Sequence, residues 1–152
     1  MNGILVAVGG AKGSRACVAA CARLFADRPP AVILLHVMQY GGPAAADGLS
    51  SDAELAELRA TIEGTPQMET LKAKAEATFT TPRTFLQEHG FGDVRTVIKF
   101  GRPTEEIVRA AAEYGVDLIV IGNTRGPIDK LILGDVAHRV ASTAPVPVLL
   151  AR

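Results

Sequence analysis

Two glycine-bearing stretches carry the residue types that could hold an anion. One is Asp117–Val136, DLIVIGNTRGPIDKLILGDV, which reads as a buried strand (Leu118 to Ile121), a glycine-punctuated loop and a helix entry at Gly134-Asp135. Glycines in such a loop let backbone N–H groups approach a phosphate, and a helix N-terminus adds about half a positive charge. Loops leaving the carboxyl ends of buried parallel strands are where open α/β sheets bind ligands. This stretch has the layout of a nucleotide site. The other, Gly9-Gly10-Ala11-Lys12-Gly13-Ser14, follows the apolar run ILVAV. It matches neither G-x-G-x-x-G nor G-x-x-x-x-G-K-[ST], because Lys12 precedes Gly13 instead of following it. It reads as a tight strand-to-helix turn, with Ser14 as N-cap of a small-residue helix from Ala16 to Ala26.

The remaining chemistry-bearing residues read as structural. Cys17 and Cys21 lie four apart on one helix face, where a disulfide would distort the helix. They are expected to be small buried residues, since no Cys/His spacing suggests a metal. His36, near the end of AVILLHV, is expected to be a packed or capping histidine. No G-x-S-x-G elbow, H-E-x-x-H or interpretable carboxylate pair occurs, so the expectation is a binding protein and not an enzyme.

Composition narrows the classes further. The chain has 152 residues, 48% hydrophobic and 21% charged, which suits one folded domain (1–152) with a genuine core. Sixteen basic and sixteen acidic residues give zero net charge, so no basic excess exists to neutralise a nucleic acid. The start, MNGILVAVGG, lacks a basic n-region, and no apolar run approaches the roughly 20 residues that span a bilayer. The expected location is cytoplasmic, with no membrane partner.

The elements that must position these residues alternate. Strands are expected at Ile4–Val8, Ala31–Val37, Asp93–Phe100, Leu118–Ile121 and Val146–Leu150. The third alternates Val94, Thr96, Ile98 and Phe100 with polar neighbours, as a half-exposed edge strand does. Between them, Gln39–Ser50 reads as a mobile Gly/Ala/Pro loop and Ser51-Asp52-Ala53-Glu54 as a capping box. Thr65-Pro66 restarts a helix with the stripe Met68, Leu71, Ala75 and Phe79, which Pro82 should kink or restart. Gly101-Arg102-Pro103 opens another helix, and the last is expected over Val136–Ser142. Strands separated by helix-length crossovers make a parallel α/β sheet. The first and fourth would flank a topological switch point if they were neighbours. The apolar last strand, if at an edge, needs cover, and self-association is one way to supply it.

In order and spacing, ILVAVGG, LLHV, GRPTEEIVRAAAEYGVDLIVIG and GDVAHRVASTAPVPVLLAR together resemble the universal stress protein family over essentially the whole chain. The resemblance implies a three-layer open parallel five-stranded sheet of order 3-2-1-4-5 with helices on both faces. It also implies a homodimer through the C-terminal strand and a stress-response role, with ATP bound in one branch of the family only. The ATP-binding branch resembles G-x-x-G-x9-G-[ST] after strand four, with an aspartate ending strand one. Carried over, Gly122 is the first glycine and Gly134 the third. The candidate contacts implied are Ala7, Gly9, Val37, Ile121, Gly122, Arg125, Gly126, Gly134, Asp135 and Val136.

Several positions depart from that pattern. Eleven residues separate Gly122 from Gly134, against twelve, and the middle glycine is displaced to Gly126. Gly9 fills the strand-one aspartate position and Asp135 the final hydroxyl position. An aspartate at Asp135 is a strong N-cap that would accept the N–H groups a phosphate needs. Two unit charges about 4 Å apart repel by roughly 4 kcal/mol at an effective dielectric of 20. Mg²⁺ between carboxylate and phosphate could relieve this, and Arg125 and Lys130 could meet an anion. The preferred reading is a stress-type binding or interaction module with an unidentified protein partner and a degenerate, weak or absent ATP/AMP site. The alternatives are an ATP/AMP-binding switch and a nucleotide hydrolase.

Overall fold

Alternate residues of the buried strands face opposite helical layers, and that alternation builds the molecule. The computed structural model describes residues 1–9, 11–38, 66–122 and 133–152. Its elements are β1 (Gly3–Ala7), α1 (Ala11–Phe25), β2 (Ala31–Met38), α2 (Pro66–Glu88), β3 (Val94–Phe100), α3 (Pro103–Glu113), β4 (Leu118–Gly122), α4 (Leu133–Thr143) and β5 (Val148–Ala151). The strands form one sheet of order β3-β2-β1-β4-β5, with every neighbouring pair parallel. The expected order and the β1–β4 neighbourhood are both present.

On one face Ile4, Val6, Val32, Leu34 and Val120 pack with Cys17, Val18 and Cys21 of α1 and Phe79 and Leu86 of α2. On the other, Leu5, Ile33, Leu35, Ile119 and Ile121 pack with Ile107, Ala110 and Ala111 of α3 and Ala137 and Val140 of α4. Each fully buried aliphatic side chain contributes on the order of 1.5–3 kcal/mol. β3 is an edge strand, as its alternation suggested, with half-buried residues at most positions. Both cysteines are free and buried, and loss of hydration pushes each thiol up to about 12.

Three helix boundaries differ from the sequence reading. α1 starts at Ala11, so Ser14 is not its cap; it lies within the helix, 6% exposed. Ala11 and Lys12 favour the helix and Gly13 is tolerated in its first turn. α2 runs through Pro82 to Glu88 as one helix. Pro82 lacks the N–H that would bond the fourth carbonyl back. The buried stripe Ala75, Phe79, Pro82 and Leu86 continues across it, so packing overrides the local loss. α4 starts at Leu133, which makes Asp135 its third residue and not its N-cap. The Gln39–Ser50 loop, the Ser51–Glu54 capping box and Thr65 lie outside the described residues, while Pro66 opens α2 as expected.

A left-handed glycine leads into β4. Gly115 has φ +62° and follows Tyr114, the C-cap of α3. Its N–H donates to the Ala112 carbonyl and that of buried Val116 to the Ala111 carbonyl, closing the helix end. The chain thereby reverses onto the sheet, and the Asp117 N–H donates to the Gly3 carbonyl at 2.9 Å.

Candidate functional site

β1 and β4 are central neighbours whose connections leave in opposite directions, and their C-terminal ends define the switch point of the sheet. The β1–β4 register runs Ile4–Leu118, Leu5–Ile119 and Val6–Val120. Past this level each strand follows its outer neighbour: Ala7 pairs with Leu35 of β2, and Gly122 with Ala151 of β5. The two central strands thus part at their carboxyl ends, beside Gly9 and Gly122.

The sequence-predicted contacts divide into three groups. Ala7, Val37, Ile121 and Val136 all join the core layer on the α3/α4 side; Ile121 is buried and the other three are half-buried. They come from β1, β2, β4 and α4, so the fold brings residues distant in sequence to one side of the sheet. Gly9 and Gly122 form the second group, at the strand ends. Gly9 is exposed, and a Cβ there would meet nothing within 4 Å. Gly134 and Asp135 form the third, in the first turn of α4. Arg125, Gly126 and Lys130 lie outside the described residues.

Two interactions at this edge were not anticipated from sequence. His36 Nδ1 lies 3.0 Å from the Val8 carbonyl oxygen. Phe79 meets the same imidazole edge-on, with ring centroids 6.5 Å apart at 88°. The reading of His36 as a packed or capping histidine agrees with this, but its partner is set only by β1–β2 register. The second is the Gly101 N–H donating to the Met38 carbonyl at 3.1 Å, which joins the ends of β2 and β3. Gly101 has φ +153°, and a Cβ there would sit 3.1 Å from Glu106 Cγ and Oε1. The signal for it was present in Gly101-Arg102-Pro103, read only as a helix start.

Among the described residues no group of three His, Cys, Asp or Glu side chains could hold a metal. No helix among them is long and apolar enough to cross a membrane.

The strand order defines an open parallel α/β protein, a class whose ligands bind in the crevice at the carboxyl ends of the central strands. Comparison with known proteins places it more narrowly. The universal stress protein family model matches residues 1–152, and the chain belongs to that family. A universal stress protein of Methanothermobacter thermautotrophicus is 41% identical over 58 residues, 38% of this chain and 40% of the relative. The matched stretch therefore spans well under half of that relative's length. The solved structure of hypothetical protein MJ0577 of Methanocaldococcus jannaschii superposes with a TM-score of 0.74 at 24% identity, covering 99% of this chain and 94% of that one. The universal stress protein of Archaeoglobus fulgidus in complex with dAMP gives 0.64 at 20%, covering 100% and 98%. Both structures show a shared fold.

Proposed function

We propose that this chain is a stress-type binding module whose β1–β4 crevice takes an adenine nucleotide weakly, without turning it over. The observation that carries this reading is the parting of β1 and β4 beside two glycines, with open space at Gly9. The dAMP complex of the Archaeoglobus fulgidus protein, which shares the fold, supports an adenine ligand. Weakness follows from residue types. Gly9 offers no carboxylate to accept from a ribose or adenine group, and the third residue of α4 is the acidic Asp135 instead of a hydroxyl residue. That turn is where helix N–H groups and dipole would otherwise favour phosphate. The charge opposes a triphosphate more than a monophosphate, because the repulsion scales with ligand charge.

Thermal melting with Mg-ATP or AMP tests the reading. A ligand at about 100 times its Kd stabilises the fold by about 2.7 kcal/mol. The expected result is a small upward shift with AMP, a smaller one with Mg-ATP, and a larger Mg-ATP shift in Asp135→Ser. No shift with either ligand in both proteins removes nucleotide binding and leaves a protein-interaction role. Release of ADP or phosphate at a turnover rate would instead favour the hydrolase.

The partner in this reading includes a second copy of the chain. β5 is a sheet edge, and Leu150 on it is 40% exposed beside half-buried Val148 and Leu149. An apolar edge strand offers unpaired backbone groups to a like strand. Val148→Lys should shift the mass measured by light scattering from dimer to monomer; an unchanged mass counts against β5 as the interface.

A further inference from the structure

We propose that His36 is the positioning residue of the crevice: its imidazole pins the peptide that precedes Gly9, and so fixes the β1 end on which a ligand would rest. The inference deepens the nucleotide-site reading and rests on it for its ligand. β1 proper ends at Ala7, paired with Leu35. One residue further, the Val8 N–H still donates to the Leu35 carbonyl at 2.8 Å. In a continuing parallel ladder the Val8 carbonyl would next receive a backbone N–H of β2. Here a side chain from β2 reaches it, His36 Nδ1 at 3.0 Å. A carbonyl oxygen only accepts, so Nδ1 is the donor in this contact.

The ring delivering that proton is itself held. Phe79, buried in α2, packs edge-on against it, so the imidazole is oriented from the helical layer and from the sheet together. Val8 is thereby bonded through both its N–H and its C=O, immediately before an exposed glycine. Glycine has the widest backbone freedom of any residue, and ordering it on binding opposes affinity. Pinning the preceding peptide removes part of that freedom beforehand, while the extended ladder stops short of the crevice and leaves it open. The histidine touches no ligand; it acts through Val8.

Three proteins separate this from a packing role: wild type, His36→Phe and His36→Asn. Phenylalanine keeps a ring against Phe79 but has no donor. Asparagine loses the ring but can place its Nδ2 near the former Nδ1. In each, amide hydrogen exchange is followed at Val8, with Leu5 and Val6 as ladder references, and AMP affinity is measured by calorimetry. In His36→Phe, Val8 should exchange about tenfold faster with Leu5 and Val6 unchanged, because losing the bond to its carbonyl lets the strand end, and with it the Val8 N–H bond to Leu35, open more often. AMP affinity should fall by a similar factor, about tenfold. His36→Asn should recover most of both. Equal acceleration at all three amides, or Val8 exchange unchanged in His36→Phe, overturns the proposal. So does an AMP affinity that His36→Phe leaves intact. If no protein binds AMP, not even Asp135→Ser, the nucleotide reading fails, and Val8 exchange alone decides whether His36 pins the strand end.

Discussion

Asp117 and Gly122 bracket the same short strand, and their surroundings differ in kind. At the N-terminal end of the β1–β4 pair, Asp117 donates its N–H to the Gly3 carbonyl, and its carboxylate accepts from the Asn2 N–H. The neighbouring strand entries are tied likewise, Val32 N–H to the Asp93 carbonyl and Ile119 N–H to the Pro147 carbonyl. At the C-terminal end β1 and β4 part after Val6 and Val120, and glycines follow. At the first end strand meets strand through backbone hydrogen bonds; at the other, the space a Cβ would take at Gly9 is open. The strand entries are tied to one another, while the two central strands separate at their carboxyl ends, where open α/β sheets carry their binding loops.

That contrast can be broken from either side. The largest effect is expected below the crevice: Ile119→Ala removes a fully buried side chain from the centre of the α3/α4 layer. It should cost about 2–5 kcal/mol in urea denaturation. A loss under about 1 kcal/mol would show that this layer collapses to fill the space and is less rigid than the closed end implies.

Alkylation of Cys17 and Cys21 tests whether loosening at the crevice spreads into α1. The thiols should resist iodoacetamide at pH 8 until global unfolding, because burial first, and for Cys17 the neighbouring Cys21 second, raises them to about 12. For Cys21 a backbone hydrogen bond acts in the opposite direction. The linkage has a definite sign. A pKa raised on folding from 9.0 to about 12 gives stability that is complete below pH 9 and lost as pH rises from 9 towards 12. Rapid labelling at pH 8 would mean that α1 opens with the crevice.

The smallest effects compare two glycines at the same edge. Gly101→Ala, at φ +153° and against Glu106, should cost about 1–3 kcal/mol. Gly9→Ala, into open space, should stay within about 0.5 kcal/mol. Similar losses for both would show that the crevice end is as constrained as the β2–β3 corner.

Much of this architecture was legible in the residues. ILVAV, AVILLHV and DLIVIG announce strands covered on both faces, and β3 announces an edge, because burial on one or two faces leaves its own period. The helix starts were less legible. Ser14 looks like a cap and Asp135 like another, yet each lies inside its helix, because a capping residue type is also tolerated within a first turn. Pro82 looks like an interruption, but the buried stripe on either side of it carries α2 through.

The sequence by itself determined the element types and the family, because those depend on local periodicity and on motifs read along the chain. Only the tertiary structure decided that Ala7, Val37, Ile121 and Val136 share one side of the sheet. It alone decided that the space at Gly9 is open and that His36 reaches the Val8 carbonyl. These are consequences of strand order and register, which place residues 28 or 114 positions apart side by side. No local pattern encodes those offsets; they emerge when alternate faces of five strands must be buried at once.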